Sequence, residues 1–316
     1  MAYAYDPELT PWIAMIPEVD FSDLAAVRDV DESLMEHLPV YEPPVPVTVR
    51  DTVAAGVPVR VYAPEGREGA LPGLFYIHGG GFVMGNVEMF DGDAKRVAAE
   101  ADAVVVSVEY RLAPEHPFPA GLDDCYTALT WTYDSAAELG IDPARLGVGG
   151  ESAGGGLAAA LALLARDRGG PALCFQYLGI PELDDRLDTP SMRAYHDTPL
   201  WHRPAAEFSW DSYLGGPGRR GSDDVSPYAA PARAADLTGL PPAYVTTCQF
   251  DPLRDEGIDY AQRLAQAGVP TELVLYPGTF HGSSLVQDAA VTQRMNADLM
   301  GALRRALHAP APQPAA

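Results

Sequence analysis

The chain has 316 residues, enough for one large α/β domain or two small ones, either with a sizeable core. Its formal net charge of −23 excludes nucleic-acid binding and docking on anionic membrane surfaces. A solvated acidic surface explains that charge, which by itself identifies no partner.

Cys125, Cys174 and Cys248 lie far apart and outside any C-x-x-C pair, so buried free thiols are expected rather than a disulfide framework or a zinc site. The opening MAYAYDPELT has neither a basic stretch nor an apolar stretch of the kind a secretory signal needs. The longest uninterrupted apolar run, Leu157–Ala165, is too short to span a bilayer. These features predict a soluble, cytoplasmic protein with no membrane partner.

Trp12, Ile13 and Ile16, then Leu24, Val27, Leu34 and Leu38, recur at roughly helical spacing, with Pro17 and Pro39 dividing the segment into short helices. Tyr41–Pro46 reads as an extended linker. Valines 45, 47 and 49 and valines 57, 59 and 61 alternate on either side of Ala55-Gly56, which predicts a β-hairpin. Leu74–Ile77 is a fully apolar strand that runs into His78-Gly79-Gly80-Gly81-Phe82. A helix over Asp91–Glu100, a buried strand over Ala103–Val108, a Pro-rich connection to Ala120 and a helix over Leu122–Leu139 follow.

Leu146–Val148 then leads into Gly150-Glu151-Ser152-Ala153-Gly154 and a continuous Ala/Leu helix. This is a G-x-S-x-G strand-to-helix elbow, which exposes a serine Oγ at a sheet edge. Three successive glycines, Gly154 to Gly156, disfavour a helix start, and close packing of helix on sheet accounts for them. After a strand over Leu173–Leu178, the segment Pro181–Gly221 scatters Trp201, Phe208, Trp210 and Tyr213 among prolines and charges, as an insertion packed on the rest would. The pattern resumes with a strand over Ala243–Thr247, a helix over Glu256–Ala267, a strand over Glu272–Tyr276 and a helix over Asp288–Leu307. The tail APAPQPAA reads as disordered.

Strands alternating with helices predict a parallel sheet covered on both faces, with ligands bound at the carboxyl ends of the strands. The loops after Ile77, Val148, Thr247 and Tyr276 should share that edge, bringing together His78–Gly81, Ser152, Asp251 and His281. In a serine hydrolase of this architecture the order is Ser, then acid, then His. His281 satisfies it, whereas His308 falls at the tail. The acid is less determined: Asp251 follows its strand most closely, Asp255 and Glu256 suit the first turn of the next helix, and Asp184 and Asp185 are outside candidates. The glycine loop can approach a developing oxyanion, with N–H donors from Gly80 and Gly81 joined by Ala153 at the helix N-terminus, and with His78 in a structural role. Phosphate binding is disfavoured, because neither a G-K-[ST] sequence nor a G-x-G-x-x-G between strand and helix is present.

His78–Phe82 (HGGGF), Tyr110–Ala120 (YRLAPEHPFPA), Gly150–Gly155 (GESAGG), Asp251–Gly257 (DPLRDEG) and Phe280–Gly282 (FHG) resemble, in order, the hormone-sensitive-lipase family of α/β-hydrolases, also called bacterial family IV carboxylesterases. The resemblance covers about residues 45–307. It implies an α/β-hydrolase fold with a mostly parallel eight-stranded sheet, helices on both faces and a helical cap. The implied layout is an N-terminal cap segment over 1–45, core over 46–182, a cap insertion over 183–225, core again over 226–308, and a tail over 309–316. It also implies a triad of Ser152, Asp251 and His281 and an oxyanion hole of Gly80, Gly81 and Ala153, with no metal or cofactor. Glu151 departs from the aspartate or threonine common at that position, and a supporting role is expected for it.

The function these features imply is hydrolysis of small-molecule carboxylic esters through an acyl-enzyme. An amide or peptide hydrolase would use the same residues, and a ligand receptor without turnover is known on this fold; a homodimer is left open. Trp12, Ile13 and Ile16 from one cap segment and Trp201, Phe208 and Trp210 from the other are expected to close the acyl cavity, which limits the best substrates to about four to eight acyl carbons.

Overall fold

A computed structural model describes residues 3–16, 19, 23–28 and 40–309 of the chain. Among the described residues eight strands, β1 (Val47–Ala54), β2 (Val57–Pro64), β3 (Leu71–Ile77), β4 (Val104–Val108), β5 (Ile141–Glu151), β6 (Phe175–Gly179), β7 (Ala243–Phe250) and β8 (Thr271–Phe280), form one sheet. Their order is β1-β2-β4-β3-β5-β6-β7-β8. The β1–β2 and β2–β4 pairs are antiparallel, and every pair from β4 to β8 is parallel. Among the described residues, the α-helices with both ends described are α1 (Thr10–Ile13), α2 (Asp91–Ala101), α3 (Ala120–Asp134), α4 (Ala136–Leu139), α5 (Ala153–Arg168), α6 (Pro190–Ala194), α7 (Arg203–Tyr213), α8 (Arg254–Gln266) and α9 (Ala290–Leu307).

The central strands read as unbroken apolar runs because both of their faces are covered. Side chains alternate across a strand. Phe75, Ile77, Val106 and Val148 therefore pack with α3, α5 and α8, while Leu74, Tyr76 and Val105 pack with α2 and α9. Helix α5 is buried from Ala153 through Ala165. The sheet covers one side of it, and α3 and the Ala229–Leu240 segment cover the rest, so it has no polar face.

Three differences from the expected elements have local causes. The helix expected over 122–139 breaks at Ser135, and left-handed Gly140 ends the short second helix. Strands β5, β7 and β8 run three or four residues beyond the expected ends, so that Ser152, Asp251 and His281 are each the first residue after a strand. His308 caps α9, with its ring bonded to the Ala101 carbonyl, rather than trailing into the tail. The three cysteines are free, and Cys174 is only half-buried.

The N-terminal residues dock on the site end of the sheet. Asp6 N–H donates to the Gly278 carbonyl, and Leu9, Trp12, Ile13 and Ile16 pack with Phe280, Val286 and Ala289. Residues 24–28 are helical, and Arg28 pairs with Glu115 at 2.9 Å. Pro17, Leu34, Leu38, Pro39 and the tail over 310–316 lie outside the described residues. Helices α6 and α7 lie in the chain between β6 and β7; Ser191 on α6 donates to the Pro252 carbonyl and Ser209 on α7 to the Gly81 carbonyl, in the loops that follow β7 and β3. Among the described residues no helix is long and apolar enough to cross a membrane.

Candidate active site

Ser152 stands between the end of β5 and the start of α5 with φ 57° and ψ −123°. This is a sparsely populated conformation for a residue with a side chain, worth about 1–3 kcal/mol of strain. The crowding that enforces the turn is visible at its flanks. A Cβ at Gly150 would lie 2.3 Å from the Ile77 carbonyl oxygen, and one at Gly154 would lie 2.1 Å from the same atom. Helix α5 thus touches β3 backbone to backbone, which accounts for glycine at a helix start. The elbow is held by Ser152 N–H donating to the Gly179 carbonyl at 2.8 Å.

The two partners reach Ser152 from adjacent strands. His281 Nδ1 is 2.8 Å from Asp251 Oδ2, and His281 Nε2 is 2.9 Å from Ser152 Oγ. A carboxylate oxygen only accepts, so Nδ1 carries a hydrogen, and in the neutral ring the Nε2 lone pair is the one that faces the serine hydroxyl. Asp251 Oδ1 accepts from Leu253 N–H at 2.9 Å, which fixes the carboxylate plane. All three residues are buried, Asp251 almost completely.

The other acids are engaged elsewhere. Asp255 accepts from Ser191 N–H at 2.7 Å and pairs with Arg254. Glu256 is not a solvent-facing first-turn carboxylate: it is 2% exposed and accepts from Leu183 N–H and Asp184 N–H, and burial holds its pKa well above the usual range. Asp184 pairs with Arg186, and Asp185 with Arg233. None of these four reaches His281.

The glycine loop crosses in front of Ser152. Gly80 has φ 114° and Gly81 φ 53°, and the Gly80 carbonyl accepts from Val83 N–H and Met84 N–H at 3.0 Å each. Among the described residues, the N–H groups of Gly80, Gly81 and Ala153 donate to no backbone carbonyl. Ala153 opens α5, where the helix dipole favours negative charge. His78 lies beneath the loop, stacked on Tyr110 at 4.2 Å, with Nδ1–H donating to the Gly79 carbonyl at 2.8 Å. Burial pushes its pKa down to about 4, so the ring is neutral.

A cavity of about 370 Å³ opens onto Ser152 and His281. Its wall includes Met84, Phe90, Ile180, Leu200, Trp201 and Leu285. Of the six aromatic and aliphatic residues expected to close it, Trp201 alone is in that wall. Trp12, Ile13 and Ile16 pack instead around Leu9 and Phe280, and Trp210 packs with Phe82 and Tyr213. Trp201 touches both halves of the site: its ring centroid is 5.7 Å from that of His281, and its edge lies over Gly81.

Glu151 also reaches the cavity, and Tyr177 O–H donates to its Oε1 at 2.6 Å. Burial raises its pKa, and burial together with the Glu151 charge pushes nearby Asp93 up to about 7. The sequence patterns gave no reason to single out Asp93 or Arg96, which line the same wall.

A family model described as alpha/beta hydrolase fold matches residues 74–285. Carboxylesterase NlhH of Mycobacterium tuberculosis is 45% identical over 257 residues, 80% of this chain and 79% of that one. Esterase LipI of the same organism is 41% identical over 268 residues, covering 82% and 81% of the two chains. The solved structure of a bacterial heroin esterase superposes with a TM-score of 0.93 at 50% identity, covering 97% of this chain and 99% of that one. With this sheet, this order of motifs and these relatives, the chain belongs to the hormone-sensitive-lipase family of α/β-hydrolases, the bacterial family IV carboxylesterases.

Proposed function

We propose that this protein is a carboxylesterase that hydrolyses small esters of about four to eight acyl carbons through an acyl-enzyme on Ser152. The observation that carries the reading is the unbroken hydrogen-bonded chain Asp251–His281–Ser152, opening on a cavity beneath a helix N-terminus. Relatives named carboxylesterase and esterase support the reaction class.

His281 Nε2 takes the Ser152 proton as Oγ attacks the ester carbonyl. Asp251 holds the tautomer and stabilises the imidazolium. The carbonyl oxygen becomes an oxyanion, which the N–H groups of Gly80, Gly81 and Ala153 receive; their freedom from backbone partners suits them to it. His281 then returns its proton to the departing alkoxide. Water activated by the same imidazole releases the acid and regenerates Ser152.

With five of the six expected residues outside the wall, the limit on acyl size rests on the finite volume of about 370 Å³ and on the apolar wall of Phe90, Ile180, Leu200 and Trp201. Each methylene that finds apolar wall contributes about 0.8 kcal/mol, so specificity rises about fourfold per carbon until the space is filled. Measuring kcat/KM across p-nitrophenyl esters from acetate to palmitate should give a maximum in the butyrate-to-octanoate range, with no rate jump when substrate aggregates. A maximum at palmitate, or such a jump, would make the enzyme a lipase.

A further inference from the structure

The oxyanion loop is held from one side by its own turn and from the other by a residue outside it. Ser209, on α7, places Oγ 2.9 Å from the Gly81 carbonyl oxygen and 2.9 Å from Glu182 Oε1. Ser209 and Glu182 are both fully buried, at 0% exposure. A serine hydroxyl carries one hydrogen, and the Gly81 carbonyl can only accept. If Glu182 were ionised, two pure acceptors would face that one hydrogen, and one contact would be acceptor against acceptor. A neutral carboxylic acid resolves the count: Glu182 Oε1–H donates to Ser209 Oγ, and Ser209 Oγ–H donates to the Gly81 carbonyl.

We propose that Glu182 is a neutral carboxylic acid whose proton orients Ser209, and that this relay positions the Gly81 peptide for the oxyanion. The inference rests on the esterase reading above and adds two positioning residues to it. Gly81 lies between two anchored carbonyls, the preceding one tied by Val83 and Met84 and its own tied by Ser209. Its N–H direction is therefore set jointly by the loop and by α7. Glu182 is itself fixed at the elbow, since its N–H donates to the Ser152 carbonyl at 3.0 Å.

The surroundings of Glu182 favour the neutral form. The titratable groups that face it are Asp251 after β7, Glu256 on α8, Tyr213 on α7 and Tyr110 after β4, and all of them are acids. Among the described residues no arginine, lysine or histidine forms an ion pair with it, and its Oε2 has no hydrogen-bond partner. Burial pushes its pKa up to about 8, with the Asp251 charge adding to the rise and the Ser209 hydrogen bond opposing it. The relay should then fail as the pH climbs through that value.

The test is the pH profile of kcat and KM for p-nitrophenyl butyrate in the wild type, Glu182→Gln, Glu182→Leu and Ser209→Ala. Titration with a fluorophosphonate counts the competent sites, so that misfolded protein is not scored as slow protein. Wild-type kcat should fall above about pH 8 with little change in KM. Glutamine donates an N–H to Ser209 and does not titrate, so Glu182→Gln should lose this alkaline limb and hold neutral-pH kcat within about threefold. Glu182→Leu and Ser209→Ala should lower kcat per competent site by about tenfold or more, with KM within about twofold. An alkaline limb in Glu182→Gln like that of the wild type, or a wild-type kcat in Ser209→Ala, would overturn the relay. If Ser209→Ala does not fold, the Glu182→Gln profile decides. Hydrolysis that survives Ser152→Ala would overturn the Ser152 acyl-enzyme on which the relay rests instead, which keeps the two failures apart.

Discussion

Gly81→Ala places a methyl group where the site has no room for one. Its Cβ would lie 2.5 Å from Trp201 Cη2 and 3.2 Å from Cζ3. The backbone there has φ 53°, a left-handed conformation that costs an alanine about 1–2 kcal/mol, or a factor of about 5–30 in the population of a correctly formed loop. The methyl contact pushes the loop away from the indole and misdirects the Gly81 N–H, and loss of one such donor lowers kcat by about 10²–10³. The single variant should therefore lose about 10²–10³ in kcat with a smaller change in KM. Trp201→Ala vacates the space the methyl needs but leaves the backbone strain. The double variant Gly81→Ala/Trp201→Ala should then be impaired only by about tenfold relative to Trp201→Ala. Gly80→Ala has no such remedy, because its Cβ would lie 2.2 Å from the backbone oxygen of Met84. The assay is steady-state hydrolysis of p-nitrophenyl butyrate, normalised to sites titrated by fluorophosphonate. A single variant that retains more than about a third of wild-type kcat, or a double variant as poor as the product of the singles, would refute the reasoning.

Asp251→Asn should lower kcat by about 10⁴ by leaving His281 in the wrong tautomer. Asp255→Asn, which weakens a bond to Ser191 N–H, should lower the thermal midpoint by a few degrees and leave kcat within a few fold; steady-state rates and thermal melts on both variants check the pair, and the reverse ranking would move the acid to Asp255. His78 is held neutral by burial, with a pKa depressed from 6.5 to about 4, so the folded state binds fewer protons than the unfolded state between those values. Stability from this residue is present above pH 6.5 and is lost as the pH falls towards about 4, by up to about 3 kcal/mol. Urea midpoints of wild type and His78→Gln should converge over that window, and parallel curves would remove His78 as the cause.

What could be read from the sequence was local chemistry tied to strand ends. Ser152 was legible because glycines at 150 and 154 are demanded by backbone contacts at the elbow. The acid was harder to read. Asp251, Asp255 and Glu256 share one short stretch, and the choice among them turns on where β7 ends and on what each side chain meets in space. Only the fold shows Asp255 tied to Ser191 and Glu256 buried beneath Leu183 and Asp184. The cavity wall was misread for a related reason. Apolar residues at helical spacing, such as Trp12, Ile13 and Ile16, report that a face is buried and not what buries it. The segment around Trp201 has no periodicity to follow, so its entry into the site depends on tertiary packing. Glu182 carried no signal at all: carboxylates are mostly exposed, and nothing beside Pro181 marks this one as fully buried.

The central claim is that Ser152 carries the acyl group. Intact-protein mass spectrometry during turnover of a p-nitrophenyl ester, followed by peptide mapping, tests it most directly. The expected result is one acyl adduct per chain on the peptide containing Ser152, absent from Ser152→Ala, whose kcat falls by about 10⁶. An adduct on another residue, or a Ser152→Ala variant that keeps more than about a tenth of the wild-type rate, would contradict it.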